Sequence, residues 1–154
     1  MDMIDRKILA ELQVDATLSV AQIAERVNLS QTPCWKRIQK LEQSGIITGR
    51  VALVAPDKVG LGLTVFVSIE AADHGPAWRE AFVAAVSKLP EIMDVYRMAG
   101  EVDYMLRVAV ADMAAFDRLY RHLTDTLSLK NVTSHFAMER IKSTTAYPIE
   151  ITAR

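Results

Sequence analysis

The sequence predicts an α+β protein built from two domains, and three observations lead to this fold class. Apolar residues recur at helical spacing through the first third of the 154-residue chain. A turn-rich segment at residues 55–60 then interrupts this pattern. Beyond it, apolar and polar residues alternate in strand-like segments with helical segments between them. We therefore expect domains at residues 1–54 and 61–154, joined by a linker at 55–60.

Three helices are predicted in the first domain. The first lies within residues 4–12, where the apolar residues share one face. Ser19 and Ser30 precede the second and third helical segments and are suited to cap them. Pro33 falls in the first turn of the third helix, where its missing N–H costs little. Gly45 is suited to end that helix.

The junction between the second and third helices has the features of a helix-turn-helix. Ala24 is small enough to let another helix approach closely, and Asn28 tolerates a left-handed backbone. Two helices joined by such a turn form the motif that places its last helix in the major groove of DNA. Residues 46–48 and 51–53 then predict a small hairpin, which would be the wing.

The second domain is predicted to follow the order βαββαβ, which is the ferredoxin-like arrangement. One helix follows the turn at Pro76, and Asp112 is suited to cap the other. A tail from residue 142 has room for one more short strand. The predicted strands cover residues 61–70, 92–98, 104–110 and 132–141.

Composition and charge exclude several classes of protein. Hydrophobic residues make up 51% of the chain, which suits a packed core and argues against disorder. The single cysteine rules out an internal disulfide framework. No apolar stretch approaches the roughly 20 residues needed to cross a membrane, and the acidic start lacks signal-peptide features. We expect a cytoplasmic protein with no membrane partner, associated with the nucleoid when it is bound to DNA.

The net charge of −1 hides a local basic segment on the third helix. Lys36, Arg37 and Lys40 lie there and Arg50 follows, opposed in this stretch by Glu42. Such a distribution is expected when one element touches phosphates and the rest of the chain does other work.

The chain shows no arrangement of residues typical of an enzyme or a metal protein. The three histidines, His74, His122 and His135, are too scattered for a metal site of known spacing. No nucleophile is paired with a base. We therefore expect no catalytic site, no metal and no cofactor.

Two segments resemble a known family. The first is Leu29-Ser30-Gln31-Thr32-Pro33-Cys34-Trp35-Lys36-Arg37-Ile38, continued by Leu41-Glu42-Gln43-Ser44-Gly45-Ile46-Ile47, and the second is Gly100-Glu101-Val102-Asp103-Tyr104. Both are similar to segments of the Lrp/AsnC family of transcription regulators, named after the leucine-responsive regulatory protein and the asparagine-synthase regulator. The one departure is Glu101, where many members have Asp. The resemblance covers nearly the whole chain.

The resemblance implies a winged helix-turn-helix joined to a ligand-binding domain. It implies dimers formed mainly through the C-terminal sheets, often assembled into octamers. It also implies an amino-acid effector held between dimers, near the Gly-x-x-Asp-Tyr loop.

The candidate DNA contacts are residues of the third helix and its cap. Gln31 and Thr32 lie in the first turn, where a helix in the major groove reads base edges. Lys36, Arg37 and Lys40 are assigned to phosphates or guanine; the alternative is a solvated charged face. The full set is Ser30, Gln31, Thr32, Trp35, Lys36, Arg37, Gln39 and Lys40.

Two residues of this helix have open alternatives. Trp35 contacts thymine methyl groups in one interpretation and covers the first helix as peripheral core in the other. Cys34 faces inward with Ile38 and Leu41, which favours a small buried hydrophobe over a redox sensor.

The candidate effector contacts lie in the Gly-x-x-Asp-Tyr loop, beside it and on the last strand. Gly100 lets backbone approach a ligand, and Glu101 and Asp103 could take an α-ammonium group. The alternative for Asp103 is a turn residue bonded to its own backbone, and for Thr133 and Ser134 it is ordinary strand propensity. The full set is Met98, Ala99, Gly100, Glu101, Asp103, Tyr104, Thr133 and Ser134.

The expected function is sequence-specific regulation of transcription in response to a small amino acid. The run at residues 134–145 is similar to the branch that includes cysteine-responsive regulators, which suggests a sulfur amino acid as effector and genes of amino-acid metabolism or transport as targets. The alternative is a constitutive architectural DNA-binding protein whose C-terminal domain only forms oligomers.

Overall fold

The computed structural model describes residues 1–150 and divides into two compact units. One unit is Met1–Ala52 together with the tail that begins at Ile141, and the other is Leu53–Arg140. The tail was expected to belong to the second domain. It belongs to the first unit because Ile149 packs against the helical core and the Tyr147 N–H donates to Gln13 Oε1 at 2.7 Å.

The N-terminal unit contains the three predicted helices. They are α1 (Met3–Val14), α2 (Val20–Arg26) and α3 (Gln31–Gln43). Asp2 and Asp5 form a capping box at the start of α1, and Ser19 and Gln22 form another at the start of α2. Ser30 is the N-cap of α3 by position, but its side chain makes no capping hydrogen bond.

The buried faces of the three helices are those that the spacing predicts. Asn28 has φ of 55° in the turn between α2 and α3, and the Leu29 N–H donates to the Ala24 carbonyl at 2.8 Å. Gly45 ends α3 with φ of 72°. The helical core consists of Ile8, Leu9, Leu12, Ile23, Ala24, Val27, Cys34, Ile38 and Leu41.

The hairpin predicted at residues 46–53 does not form a strand pair in the part of the chain that the structure describes. Val51 and Leu53 are 81% and 74% exposed, so no packing in this structure stabilises a ladder there. A two-stranded hairpin with an uncovered apolar face is marginal on its own. Arg50 instead reaches back to α3, where its Nη2 atom lies 2.9 Å from Glu42 Oε1.

The C-terminal unit has the predicted ferredoxin-like topology. A short 3₁₀ turn, Pro56–Val59, precedes the sheet. The other elements are β1 (Leu63–Ala71), α4 (Pro76–Val86), β2 (Ile92–Arg97), β3 (Tyr104–Val110), α5 (Met113–Thr126) and β4 (Leu129–Phe136). The strands form one sheet in the order β2-β3-β1-β4, and all neighbouring strands are antiparallel.

The last strand lies earlier in the chain than residues 132–141. Its position follows from its partner, because β4 pairs along β1 from Leu129 opposite Ala71 to Phe136 opposite Val65. β1 begins at Leu63, so residues beyond Ala137 have no strand to pair with.

The two helices of this unit cover one face of the sheet. Phe82 of α4 and Leu119 of α5 are buried against residues of β1 and β3 such as Val67 and Leu106. Phe66 lies on the opposite face and is exposed. The unit therefore buries one face of its sheet and leaves Phe66 exposed on the other, among polar residues such as Ser68 and Arg107.

Candidate nucleic-acid interface and effector site

Helix α3 separates a buried side from an exposed side, as an element that enters a DNA groove must. Cys34, Ile38 and Leu41 face the helical core and are buried. The opposite side is exposed and carries polar and basic side chains. The candidate contacts on this exposed side are Gln31, Thr32, Trp35, Lys36 and Lys40.

Arg37 is the exception among the predicted phosphate contacts. Its Nη1 atom lies 2.7 Å from both Asp2 Oδ2 and Asp5 Oδ1. The hydrogen bonds to Asp5 and Asp2 raise the pKa of the guanidinium above its ordinary value. The guanidinium that was assigned to phosphate or guanine is thus already paired with two carboxylates of its own unit.

Two other candidates differ in how far they are available to DNA. Gln39 is half-buried, and its Nε2 atom donates to Glu42 Oε2 at 3.2 Å. Ser30 is exposed, and its hydroxyl is not used to cap α3. The Ser30 hydroxyl therefore stays available for the DNA contact predicted for this residue, whereas Gln39 already has a partner along the helix.

Burial distinguishes the alternatives for Cys34 and Trp35. Cys34 is fully buried, and burial raises the pKa of its thiol, which suppresses the reactive thiolate. This favours the small buried hydrophobe. Trp35 is 50% exposed, which favours the DNA-facing interpretation over peripheral core.

The predicted effector loop connects β2 to β3 and is closed by backbone hydrogen bonds. The Met98 N–H donates to the Asp103 carbonyl at 2.8 Å, and the Asp103 N–H donates to the Ile69 carbonyl at 2.9 Å. Gly100 has φ of 138°, a conformation that other residues rarely adopt. Gly100, Ala99 and Glu101 are exposed. Backbone hydrogen bonds thus fix the conformation of the loop, while residues 99–101 remain exposed to solvent.

Asp103 joins this loop to the end of β1. Its Oδ2 atom accepts the Ala71 N–H at 2.8 Å, so it is bonded to backbone, but to that of another strand rather than its own. Its second oxygen, Oδ1, lies 3.7 Å from His74 Nδ1. One carboxylate therefore has a structural partner on one oxygen and a basic neighbour on the other.

Sequence reasoning missed three basic residues near Asp103. His74, Arg79 and Arg97 line a small cavity of about 30 Å³ together with Asp103. From sequence, His74 is only a residue of a turn. The available signal was weak: Arg97 lies at the end of β2 immediately before the loop, but nothing local connects it to Arg79.

Tyr104 lies at the base of this region rather than on its surface. Its ring is buried, with its centroid 4.3 Å from that of Phe82 and 5.8 Å from that of Trp78. Tyr104, Arg79 and Arg97 also line a neighbouring groove of about 540 Å³ between α4 and β2. The small basic cavity and the apolar groove thus share lining residues. Together they suit a small zwitterion with an apolar side chain.

Thr133 and Ser134 are not brought together with the loop within one chain. They lie on β4, and β1 stands between β4 and β3 in the sheet. Thr133 pairs with Ser68 and Ser134 with Val67, so the two side chains point to opposite faces. Within one chain, therefore, the loop and these two strand residues do not form one site.

Residues 1–150 contain no helix that is long and apolar enough to cross a membrane. Within the same range, no cluster of His, Cys, Asp and Glu could hold a metal ion.

Comparisons with known proteins define the class. A family model described as "Winged helix-turn-helix DNA-binding" matches residues 1–48, and one described as "Lrp/AsnC ligand binding domain" matches residues 64–147. The protein is a DNA-binding transcription regulator and not an enzyme. The chain belongs to the Lrp/AsnC family.

Individual relatives agree with this family over nearly their full length. The DNA-binding transcriptional activator DecR of Escherichia coli K12 is 53% identical, covering 97% of this chain and 99% of the relative. An AsnC family regulator from Agrobacterium tumefaciens has a solved structure with a TM-score of 0.92 and 52% identity, covering 96% and 97% of the two chains. A transcriptional regulator from Neisseria meningitidis has a solved structure in complex with L-Met. Its TM-score with this chain is 0.91 and its sequence identity is 36%, covering 96% of each chain.

Proposed function

We propose that this regulator binds its operator through the exposed side of α3 and changes its DNA affinity when it binds a small amino acid, cysteine or another sulfur amino acid. It acts in the cytoplasm and controls genes of amino-acid metabolism or transport. The observation that carries the proposal is the basic and polar face of α3, set over a buried apolar stripe. The Neisseria relative in complex with L-Met supports a sulfur amino acid as the effector.

Within the DNA interface we propose a division of roles. Gln31, Thr32 and Trp35 meet base edges or thymine methyl groups, since they lie near the N-terminal end of α3 and are exposed. Lys36 and Lys40 meet phosphates.

Within the effector site we propose that Asp103 receives the α-ammonium group and that Arg79 or Arg97 receives the α-carboxylate. Asp103 lines the small cavity together with both arginines, and its Oδ1 atom lies 3.7 Å from Nδ1 of His74, which lines the cavity too. Charge-assisted hydrogen bonds of this kind are about twice as strong as neutral ones. The apolar wall of the adjoining groove, formed by residues such as Val86 and Val95, would hold the side chain of the amino acid. The amino acid is the only small molecule that the proposal requires.

We also propose that the working form is a dimer, assembled further into an octamer. Two or three phosphate contacts from one subunit give weak affinity, and two half-sites read by a dimer give much more. The sheet face that carries the exposed Phe66 and Tyr96 supports a dimer formed sheet to sheet, because aromatic residues are enriched at protein interfaces.

A salt titration of operator binding tests the DNA interface. Lys36→Ala with Lys40→Ala should lower operator affinity and make its dependence on salt shallower by about 0.9 for each phosphate that the protein no longer neutralises. Lys58→Ala with Lys88→Ala removes the same charge from exposed positions in the other unit and should leave the slope near that of the wild type. Equal gel-shift titrations for the wild type and the α3 variant would remove α3 from the interface.

A thermal-shift screen of the twenty amino acids tests the effector site. Sulfur amino acids should raise the unfolding temperature, and Arg97→Gln should weaken that response. Arg118→Gln, an exposed arginine on α5, is the matched control and should respond like the wild type. If no amino acid stabilises the protein, the constitutive architectural role replaces this proposal. Binding to the protein's own promoter region, with and without the stabilising amino acid, then shows whether the effector changes DNA affinity.

A further inference from the structure

A three-residue ion cluster ties the DNA-facing helix to the start of α1. Arg37 Nη1 donates to Asp2 Oδ2 and to Asp5 Oδ1. The same carboxylates form the cap of α1, because the Asp5 N–H donates to Asp2 Oδ1 and the Asp2 N–H donates to Asp5 Oδ2, each at 2.9 Å. Each carboxylate thus uses one oxygen for the helix and the other for the arginine. Arg37 is therefore bound by two carboxylates that the capping hydrogen bonds of α1 already hold in place.

The cluster lies beside the basic residues of α3 that are the candidate phosphate contacts. Arg37 follows Lys36 directly and lies one helical turn before Lys40, and both lysines are exposed. The side chain of Arg37 is 31% exposed, so it lies at the border between the basic face and the buried stripe. An arginine there would ordinarily reach for a phosphate. Two carboxylates and one guanidinium instead leave a net negative cluster at this edge of the helix.

We propose that Asp2 and Asp5 are positioning residues that hold Arg37 off the phosphates of bound DNA and so limit the sequence-independent part of the affinity. The proposal rests on α3 being the DNA-facing helix. Carboxylate and phosphate both accept charge-assisted bonds from a guanidinium, so they compete for the same donor. The carboxylates have the advantage because they belong to the same folded unit and are already ordered. Sequence-independent binding comes almost entirely from phosphate contacts, so each arginine withheld lowers it.

The test is the salt dependence of binding to a random-sequence duplex, followed by fluorescence anisotropy of labelled DNA. Asp2→Asn with Asp5→Asn removes both charges, and each Asn keeps a side-chain oxygen to accept the capping hydrogen bond that the Asp accepted. The slope should become steeper by about 0.9 per subunit, or about 1.8 per dimer. Between 50 and 200 mM salt, the variant should then lose about twelvefold more affinity than the wild type. The single change Asp2→Asn, at an exposed position, provides a milder variant if the double variant unfolds.

Arg37→Gln separates the release of this arginine from a general change of charge. Alone, it should leave the wild-type slope unchanged, because Arg37 does not contact phosphate in the wild type. Combined with the two Asp→Asn changes, it should abolish the steeper slope. The proposal is overturned if Arg37→Gln alone makes the slope shallower, or if the Asp→Asn changes steepen the slope equally with and without Arg37.

Lys36→Ala distinguishes failure of this proposal from failure of the DNA interface itself. A shallower slope for Lys36→Ala with no effect of the Asp→Asn changes overturns only the role of the acid pair. An unchanged slope for Lys36→Ala combined with Lys40→Ala removes α3 from the interface and overturns both.

Discussion

The two units expose their functional residues in opposite ways. In the N-terminal unit the candidate DNA contacts stand on the outside of one 13-residue helix, while its other side supplies the core. In the C-terminal unit Asp103 lines a cavity together with Arg79 and Arg97, and the base of this cavity, Tyr104, belongs to the core itself. Binding and stability should therefore be separable by mutation in the first unit and closely linked in the second.

The two tryptophans allow the units to be followed independently. The chain has two, Trp35 on α3 and Trp78 on α4. A Trp35→Phe background reports on the C-terminal unit, and a Trp78→Phe background reports on the N-terminal unit. Unfolding of each unit can therefore be measured by fluorescence in the same full-length chain.

The largest loss of stability is expected for a change at Phe82, which belongs to the core and also packs against Tyr104 of the candidate effector site. Phe82 is fully buried and its ring lies against that of Tyr104, so Phe82→Ala should lower the free energy of unfolding of the C-terminal unit by about 3–5 kcal/mol. The amino-acid response should be lost as well, because Tyr104 lines the cavity. Denaturant unfolding followed by Trp78 fluorescence measures the first effect.

Val83, which also lines the groove between α4 and β2, is the matched control for the loss of stability at Phe82. It is the next residue of α4 and is 53% exposed, so Val83→Ala should change the free energy of unfolding by no more than about 0.5 kcal/mol. Retention of the amino-acid response by a destabilised Phe82→Ala protein would contradict the link between core and cavity.

Asp103 should separate the two roles that meet in one side chain. Asp103→Ala leaves the Ala71 N–H without its charged acceptor and should cost about 1.5–3 kcal/mol. Asp103→Asn keeps an oxygen for that N–H but removes the charge that would hold an ammonium group. We expect Asp103→Asn to unfold nearly like the wild type and yet to lose the thermal shift produced by amino acids.

Asp73→Asn is the control for this pair of variants. Asp73 is exposed and bonds only to the nearby Gly75 N–H among the described residues. It should keep the amino-acid response. A normal response from Asp103→Asn would show that its charge is not used for the ligand.

The two serine caps provide the corresponding separation in the N-terminal unit. Ser19 accepts the Gln22 N–H in a capping box, so Ser19→Ala should cost about 1 kcal/mol and leave the slope of DNA binding against salt unchanged. Ser30 makes no such bond, so Ser30→Ala should cost less stability and act mainly on DNA affinity. Chemical unfolding in the Trp78→Phe background, read beside gel shifts, measures both. Equal losses of stability for the two variants would show that Ser30 also caps its helix in solution.

Sequence was sufficient for α3 because everything that defines this helix is local. The buried stripe, the turn at Asn28 and the end at Gly45 each follow from neighbouring residues. The pairing of Arg37 with Asp2 and Asp5 escaped prediction because it joins positions more than thirty residues apart.

The effector site was less predictable because its residues come from several elements that are distant in sequence. The loop around Gly100 could be located from its motif, but His74 and Arg79 reach it only through the packing of α4 on the sheet. Thr133 and Ser134 lie on β4, and β1 stands between β4 and β3, so the fold of one chain does not by itself bring them to the loop. Spacing along the chain carries no information about such distances.

The smallest effect is expected for Glu70, at the end of β1. The hydrogen bond from Asn131, together with Lys130, holds the pKa of this carboxyl below its ordinary value of 4.5. A carboxyl with a lowered pKa stabilises the folded state above its unfolded pKa, and this contribution is lost as pH falls through the folded pKa. Glu70→Gln should therefore be slightly less stable than the wild type at neutral pH, and the two should converge as the pH falls through the lowered pKa of Glu70. The effect is small because the partner Lys130 is well exposed to solvent.

Unfolding followed by Trp78 fluorescence between pH 3 and 7 measures this difference without interference from Asp2 and Asp15, whose lowered pKa values belong to the other unit. Glu80→Gln, at an exposed position on α4, should follow the wild-type curve. A constant difference between Glu70→Gln and the wild type across the whole pH range would instead assign the effect to the neutral hydrogen bond with Asn131, since only the charged contribution disappears on protonation.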